Sequence, residues 1–166
     1  MLHLRLLAVA LIAGALCGNA AATAQSPDQI LIDGRVGILF SEPLENFLRV
    51  PGNFARLKPF LPERRCSASW RGYRATWQVV GPKLYLAALV TDPCAENPKP
   101  VPLEQIFPVT NVPVHAVWYS GSLVIPMGER QKYVHMGYDS VYQRYIVLRV
   151  VNGEIAERTE TSTPPR

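Results

Sequence analysis

Apolar and polar residues alternate with a period of two through much of the chain beyond residue 25, and short glycine-bearing turns interrupt the alternation. That period is the signature of half-buried β-strands. Over residues 73–80, Tyr73, Ala75, Trp77 and Val79 share one face while Arg74, Thr76 and Gln78 share the other. Gly81-Pro82 then separates this run from 83–90, and the pair suits a type II′ turn, with Gly at positive φ and Pro at its ordinary negative value. Asp33-Gly34 divides 30–32 from 35–40 and predicts a type I′ hairpin. Ser120-Gly121 divides 114–119 from 122–125, and Asn152-Gly153 divides 144–151 from 154–156, so two more hairpins are expected. Ile146, Leu148 and Val150 form a second apolar row.

Helix is scarce. Residues 43–48 predict a turn and a half, with Ser41 as cap and Glu42 and Glu45 near the positive end. Residues 103–107, between Pro102 and Pro108, predict another short helix. Residues 50–65 and 91–102 read as surface loops, and the polar stretch 159–166 as a flexible tail. The fold class expected is mainly β: an antiparallel sheet of hairpins curled into a barrel or sandwich, with one or two short helices.

The N-terminus changes the picture of where such a domain works. Arg5 gives a positive start, residues 6–16 are unbroken apolar sequence, and Ala22-Thr23-Ala24 places alanine at both positions inspected before cleavage at Gln25. These are the three parts of a secretory signal, so residues 1–24 are read as a signal peptide, 25–158 as one β-rich domain and 159–166 as the tail. Cys17 raises a lipoprotein alternative, but Leu16 stands where that signal wants a small residue. No later segment is apolar enough to be a membrane helix, and the expected location is periplasmic or secreted. Two cysteines survive processing, Cys66 and Cys94. If 81–82 is a two-residue turn, paired residues have numbers summing to 163, and the two cysteines sum to 160. They therefore fall together at the open end of one hairpin, where an oxidising compartment favours a disulfide.

The chain has 17 basic and 13 acidic residues, a net charge of +4. The basic residues are scattered, with no run beyond Arg64-Arg65, so nucleic acid is not an expected partner. No cofactor motif is present. Trp70-Arg71-Gly72-Tyr73-Arg74-Ala75-Thr76-Trp77, then Leu84-Tyr85-Leu86, Trp118-Tyr119-Ser120-Gly121 and Tyr133-Val134-His135-Met136-Gly137-Tyr138, resembles a pattern found in small exported bacterial proteins of no assigned activity. The resemblance implies a shared fold and transfers no site residue.

Chemistry is thin. His115 and His135, both in expected strands, could be combined with Asp139 and Ser120 or Ser140 into a Ser/His/Asp set, yet no turn presents an activated serine. The two histidines with Asp139 lack diagnostic metal spacing, so neither a catalytic nor a metal set is assigned. Aromatic density points instead to binding. Most rings belong in the core, but Tyr138, Asp139, Ser140, Tyr142 and Gln143 read as an adaptable surface loop, with Arg71 as a neighbour. The expected function is an exported, non-enzymatic interaction domain, inhibitor- or immunity-like, for a protein or envelope component. The alternatives are a small hydrolase using His135 and Asp139, and a structural accessory of an envelope assembly.

Overall fold

The computed structural model describes residues 24–108 and 111–165, so the expected signal peptide, with Cys17, lies outside the described residues except for Ala24. The chain is mainly β. Strands β1 (Asp28–Ile32), β2 (Arg35–Leu39), β3 (Tyr73–Val80), β4 (Lys83–Thr91), β7 (Gly121–Lys132), β8 (Val141–Val151) and β9 (Glu154–Thr161) form one sheet in the order β2-β1-β3-β4-β9-β8-β7. The two-residue strands β5 (Lys99–Pro100) and β6 (Val114–His115) add to β4. The sheet is curled and not closed into a barrel. Among the described residues no helix is long and apolar enough to cross a membrane.

Three of the four expected hairpin turns form. Asp33 and Gly34 (φ 51° and 72°) join β1 to β2, and Asn152 and Gly153 (φ 49° and 79°) join β8 to β9, the double positive φ of a type I′ turn. Gly81, at φ 56°, joins β3 to β4. Their register begins with Val80↔Lys83 and slips by one residue at a bulge between Thr76 and Trp77, so Tyr73 meets Thr91. The sulfurs of Cys66 and Cys94 lie at bonding distance just beyond that open end, with Cα atoms 6.5 Å apart.

The fourth hairpin is not made. The free edge of β4 takes Val114 and His115, and the chain then turns, Val117 N–H donating to His115 O and Tyr119 N–H to Ala116 O. Gly121 opens β7, opposite Val150, instead of turning back on 114–119. The sheet is also not wholly antiparallel: β1 runs parallel to β3 with Ile30 opposite Trp77. Parallel neighbours need a long crossover, and residues 40–72 supply it. That segment holds α1 (Pro43–Leu48), α2 (Asn53–Leu57) and a 3-10 turn (Lys58–Phe60), where a plain loop was expected over 50–65. Leu44, Leu48 and Leu57 enter the core from these helices, joined by Leu103 and Ile106 of α3 (Leu103–Ile106). Ser41 does not cap α1; its hydroxyl donates to Ser122 O (3.0 Å) and accepts from Val124 N–H (3.0 Å). Beside it Phe40 N–H donates to Val124 O (2.8 Å), drawing the edge strands β2 and β7 together. β9 continues to Thr161, so residues 159–161 of the expected tail pair with β8.

The second seam is narrow. β4 and β9 share one paired position, Lys83↔Glu154, flanked by Leu84 N–H to Gly153 O (2.9 Å) and Ile155 N–H to Pro82 O (2.6 Å). Gly153 N–H also donates to Tyr119 O (2.9 Å), and a Cβ added at Gly153 would stand 2.7 Å from Ala116 O. The glycine is required twice over, by its left-handed φ and by backbone contact.

Gly153→Ala should destabilise the domain by more than the ~1 kcal/mol of a left-handed alanine, because a carbonyl cannot move aside. Gly81→Ala, with open space around it, should cost only that conformational term. Equal urea midpoints for the two variants would refute the close-approach account. Thiol labelling of the folded chain should leave Cys66 and Cys94 unmodified, and replacing both with Ser should cost about 3.5 kcal/mol for a closed loop spanning 28 residues.

Candidate functional site

The inner face of β1 reads Asp28, Ile30, Ile32, an acid in phase with two buried isoleucines. Asp28 has no exposed surface. Its Oδ1 accepts from Ala75 N–H and from Arg71 Nη2, both at 3.1 Å, and its Oδ2 from Trp77 Nε1 at 3.0 Å. Burial pushes the Asp28 carboxyl above its usual range, while Arg71, Trp77 and Ala75 pull it back. Both oxygens face groups that only donate, an arrangement that favours the ionised form against the cost of burial. Arg71 is 4% exposed and packs its guanidinium 4.9 Å from the Tyr73 ring centroid. Burial works against its charge, and Asp28, together with Tyr73, Tyr138 and Glu42, more than restores it.

From this pair a polar chain runs outward. Arg71 Nη2 donates to Tyr138 Oη (3.3 Å) and Ser26 O (3.4 Å), and Arg71 Nε lies 3.5 Å from Glu42 Oε1. Tyr138 Oη donates in turn to that same Glu42 oxygen (2.9 Å). Arg71 Nη1 is buried with no acceptor among the described residues. The Tyr138 ring stacks on Phe40 with centroids 5.2 Å apart, and Tyr142 meets Phe40 edge-on at 5.8 Å. Beside these rings lies a groove of about 530 Å³, lined by Phe40, Tyr138, Asp139, Ser140 and Tyr145, with Pro164 and Pro165 of the chain's own tail against it.

The structure thus joins Arg71 to Tyr138 directly and Tyr138 to Tyr142 through Phe40. Asp139 is exposed on the groove wall. Ser140 is turned inward, its hydroxyl accepting from Val134 N–H (3.1 Å). Gln143 is exposed on β8, and its Oε1 accepts from Glu129 N–H (3.2 Å) rather than lining the groove. Arg71 itself is no surface residue; it holds Tyr138 from behind.

The histidines are not brought together. His115, in β6, sets Nε2 3.3 Å from Gly153 O and its ring against Tyr85. His135 lies in the loop between β7 and β8, not in a strand, exposed and edge-on to Tyr133. The two flank opposite ends of β8, whose 11 residues extend about 35 Å at ~3.3 Å per residue. Among the described residues no hydrogen bond links either histidine to Asp139, Ser120 or Ser140, and no three His, Cys, Asp or Glu side chains gather as metal ligands. Sequence reasoning missed Asp28, Glu42 and Phe40. An acid in step with Ile30 and Ile32 was the available signal for the first.

No protein-family model matches the chain, and comparison with curated proteins and with solved structures finds no match either.

Asp28→Asn should leave the Arg71 charge buried beside a neutral amide and cost about 3–5 kcal/mol in urea unfolding. Adding Arg71→Met should recover part of that loss. A double variant as unstable as the sum of the two single ones would show that the pair is not coupled.

Proposed function

We propose that the chain is an exported, non-enzymatic binding domain, and that the aromatic groove at Phe40, Tyr138 and Tyr145 receives an extended, proline-bearing segment of a protein partner. Export to the periplasm or beyond is supported by the Arg5, apolar 6–16 and Ala22-Thr23-Ala24 pattern and by the cysteine pair at disulfide distance. The observation that carries the binding reading is the placement of Pro164 and Pro165 against the groove. Proline pairs favour the polyproline II conformation, which costs little entropy to dock on aromatic walls. Tyr138 is pre-oriented by Arg71 and Glu42, so little ordering remains to be done on binding. A protein that occupies such a groove in a partner's place, as an inhibitor or immunity protein would, needs no catalytic group.

A labelled peptide of residues 159–166, titrated by fluorescence anisotropy, tests this. A chain ending at Ser162 should bind it at least about tenfold more tightly than the full chain, whose tethered tail competes at an effective concentration on the order of mM. Phe40→Ala in the shortened chain should abolish binding while the chain still unfolds in one cooperative transition, the lost ring contacts with Tyr138 and Tyr142 lowering the melting temperature. Equal binding by both chains, or none by the shortened one, overturns the groove as the working surface.

A further inference from the structure

A second cavity, of about 520 Å³, opens at the mouth of the curled sheet, within the size range of small-molecule sites. Its floor is apolar and buried: Ile32 of β1, Ile125 of β7 and Ile146 of β8. The rows that carry these residues end in charge. On β8 the inner row Val150, Leu148, Ile146 continues to Arg144; on β9 Arg158 pairs with Leu148; on β2 Arg35 pairs with Ile32. Three strands thus place an arginine at the rim of one apolar pocket.

The rim is not neutral. Arg158 is held by Asp33 (2.8 Å) and Glu160 (3.5 Å), and these are the two carboxylates lining the mouth. Its hydrogen bond holds the Asp33 carboxyl below the usual range, with a lesser contribution from Arg35. Arg35 and Arg144 are exposed, and neither is in an ion pair among the described residues. Three guanidiniums against two carboxylates leave one positive charge over an apolar floor.

Gly37 adds an independent observation. It pairs with Ile30 in the interior of β2, where glycine weakens a strand and commonly marks the approach of a ligand or another backbone. Its backbone needs no positive φ, and a Cβ there would meet only Ile125 Cγ2, at an ordinary 3.6 Å. Conformation does not demand this glycine. Its effect is to leave the pocket open.

We propose that this mouth binds a small amphipathic monoanion, a carboxylate-headed molecule with an apolar chain. The chain lies on Ile32, Ile125 and Ile146, and the head is taken by Arg144 with Arg35, whose planar forks suit a carboxylate. The cavity meets the proline groove only at Tyr145; Arg144 and Gly37 line the cavity alone, so failure of their variants leaves the groove reading untouched, and the reverse holds for Phe40.

Isothermal titration of the full chain with decanoate, decanol and acetate tests the assignment. Decanoate should bind measurably, decanol at least about tenfold more weakly, the loss of one charge-assisted contact, and acetate not detectably. Arg144→Gln should weaken decanoate about tenfold and leave decanol unchanged. Gly37→Val, compatible with an extended strand, should block both at an unchanged melting temperature. Decanol binding as well as decanoate would reduce the site to apolar surface, and acetate binding as well as decanoate would make it a bare anion site; either result overturns the proposal, as does no binding by any of the three. The ligand comparison on the unaltered chain decides the matter even where a variant fails to fold.

Discussion

A carboxylate with no exposed surface sets the terms for this molecule. Taking Asp28 out of water costs several kcal/mol unless its oxygens are fully engaged, and the donors that engage it all come from β3 or the turn before it. The parallel register of β1 on β3 follows. Ala75 N–H and the Trp77 indole reach Asp28 when Ile30 stands opposite Trp77. A slip of one residue would turn Ile30 and Ile32 outward and leave the charge without partners. The same Arg71 Nη2 that answers Asp28 also reaches Ser26 O and Tyr138 Oη, while its Nε lies beside Glu42. A requirement of the core is thereby passed to the surface, where it fixes the ring that stacks on Phe40.

The sheet divides into two well-paired groups, β2-β1-β3-β4 and β9-β8-β7, and depends on two slender joints to hold them face to face. At one, Phe40 and Ser41 stitch β2 to Ser122 and Val124. At the other, the Asn152-Gly153 turn is pressed between the start of β4 and residues 116–119. Neither joint has a long ladder of hydrogen bonds. The buried rows compensate: Ile30, Trp77, Leu84 and Leu86 from one group belong to the same apolar cluster as Leu123, Ile125, Leu148 and Val150 from the other. Burying such side chains stabilises by about 1.5–3 kcal/mol each, so packing rather than pairing holds the halves together.

What was legible in the sequence was local. Asp33-Gly34, Gly81-Pro82 and Asn152-Gly153 announce their turns because positive φ restricts the residues that can stand there. The 73–80 alternation and the Cys66–Cys94 pairing follow from counting along one hairpin. What escaped depends on partners far along the chain. Ser120-Gly121 looks like its counterparts, but β4 claims Val114 and His115 and Tyr119 O receives Gly153 N–H. Ser41 has the chemistry of a helix cap and spends it on β7, some eighty residues away. Tyr138 and Tyr142 read as neighbours from their spacing, but the ring between them, Phe40, and the acid behind Tyr138, Glu42, belong to the other end of the sequence. No periodicity connects them.

The ends of the domain have a practical consequence. Gln25 N–H donates to Gly137 O (3.3 Å), one residue before Tyr138, and Pro165 lies against the groove that Tyr138 lines. The first and last described stretches therefore meet at one place on the surface. A fluorophore or fusion partner attached beside Gln25 or Pro165 would crowd the aromatic groove and mask it in an assay. The Gly81-Pro82 turn, exposed and with open space around its glycine, offers an attachment point away from both termini.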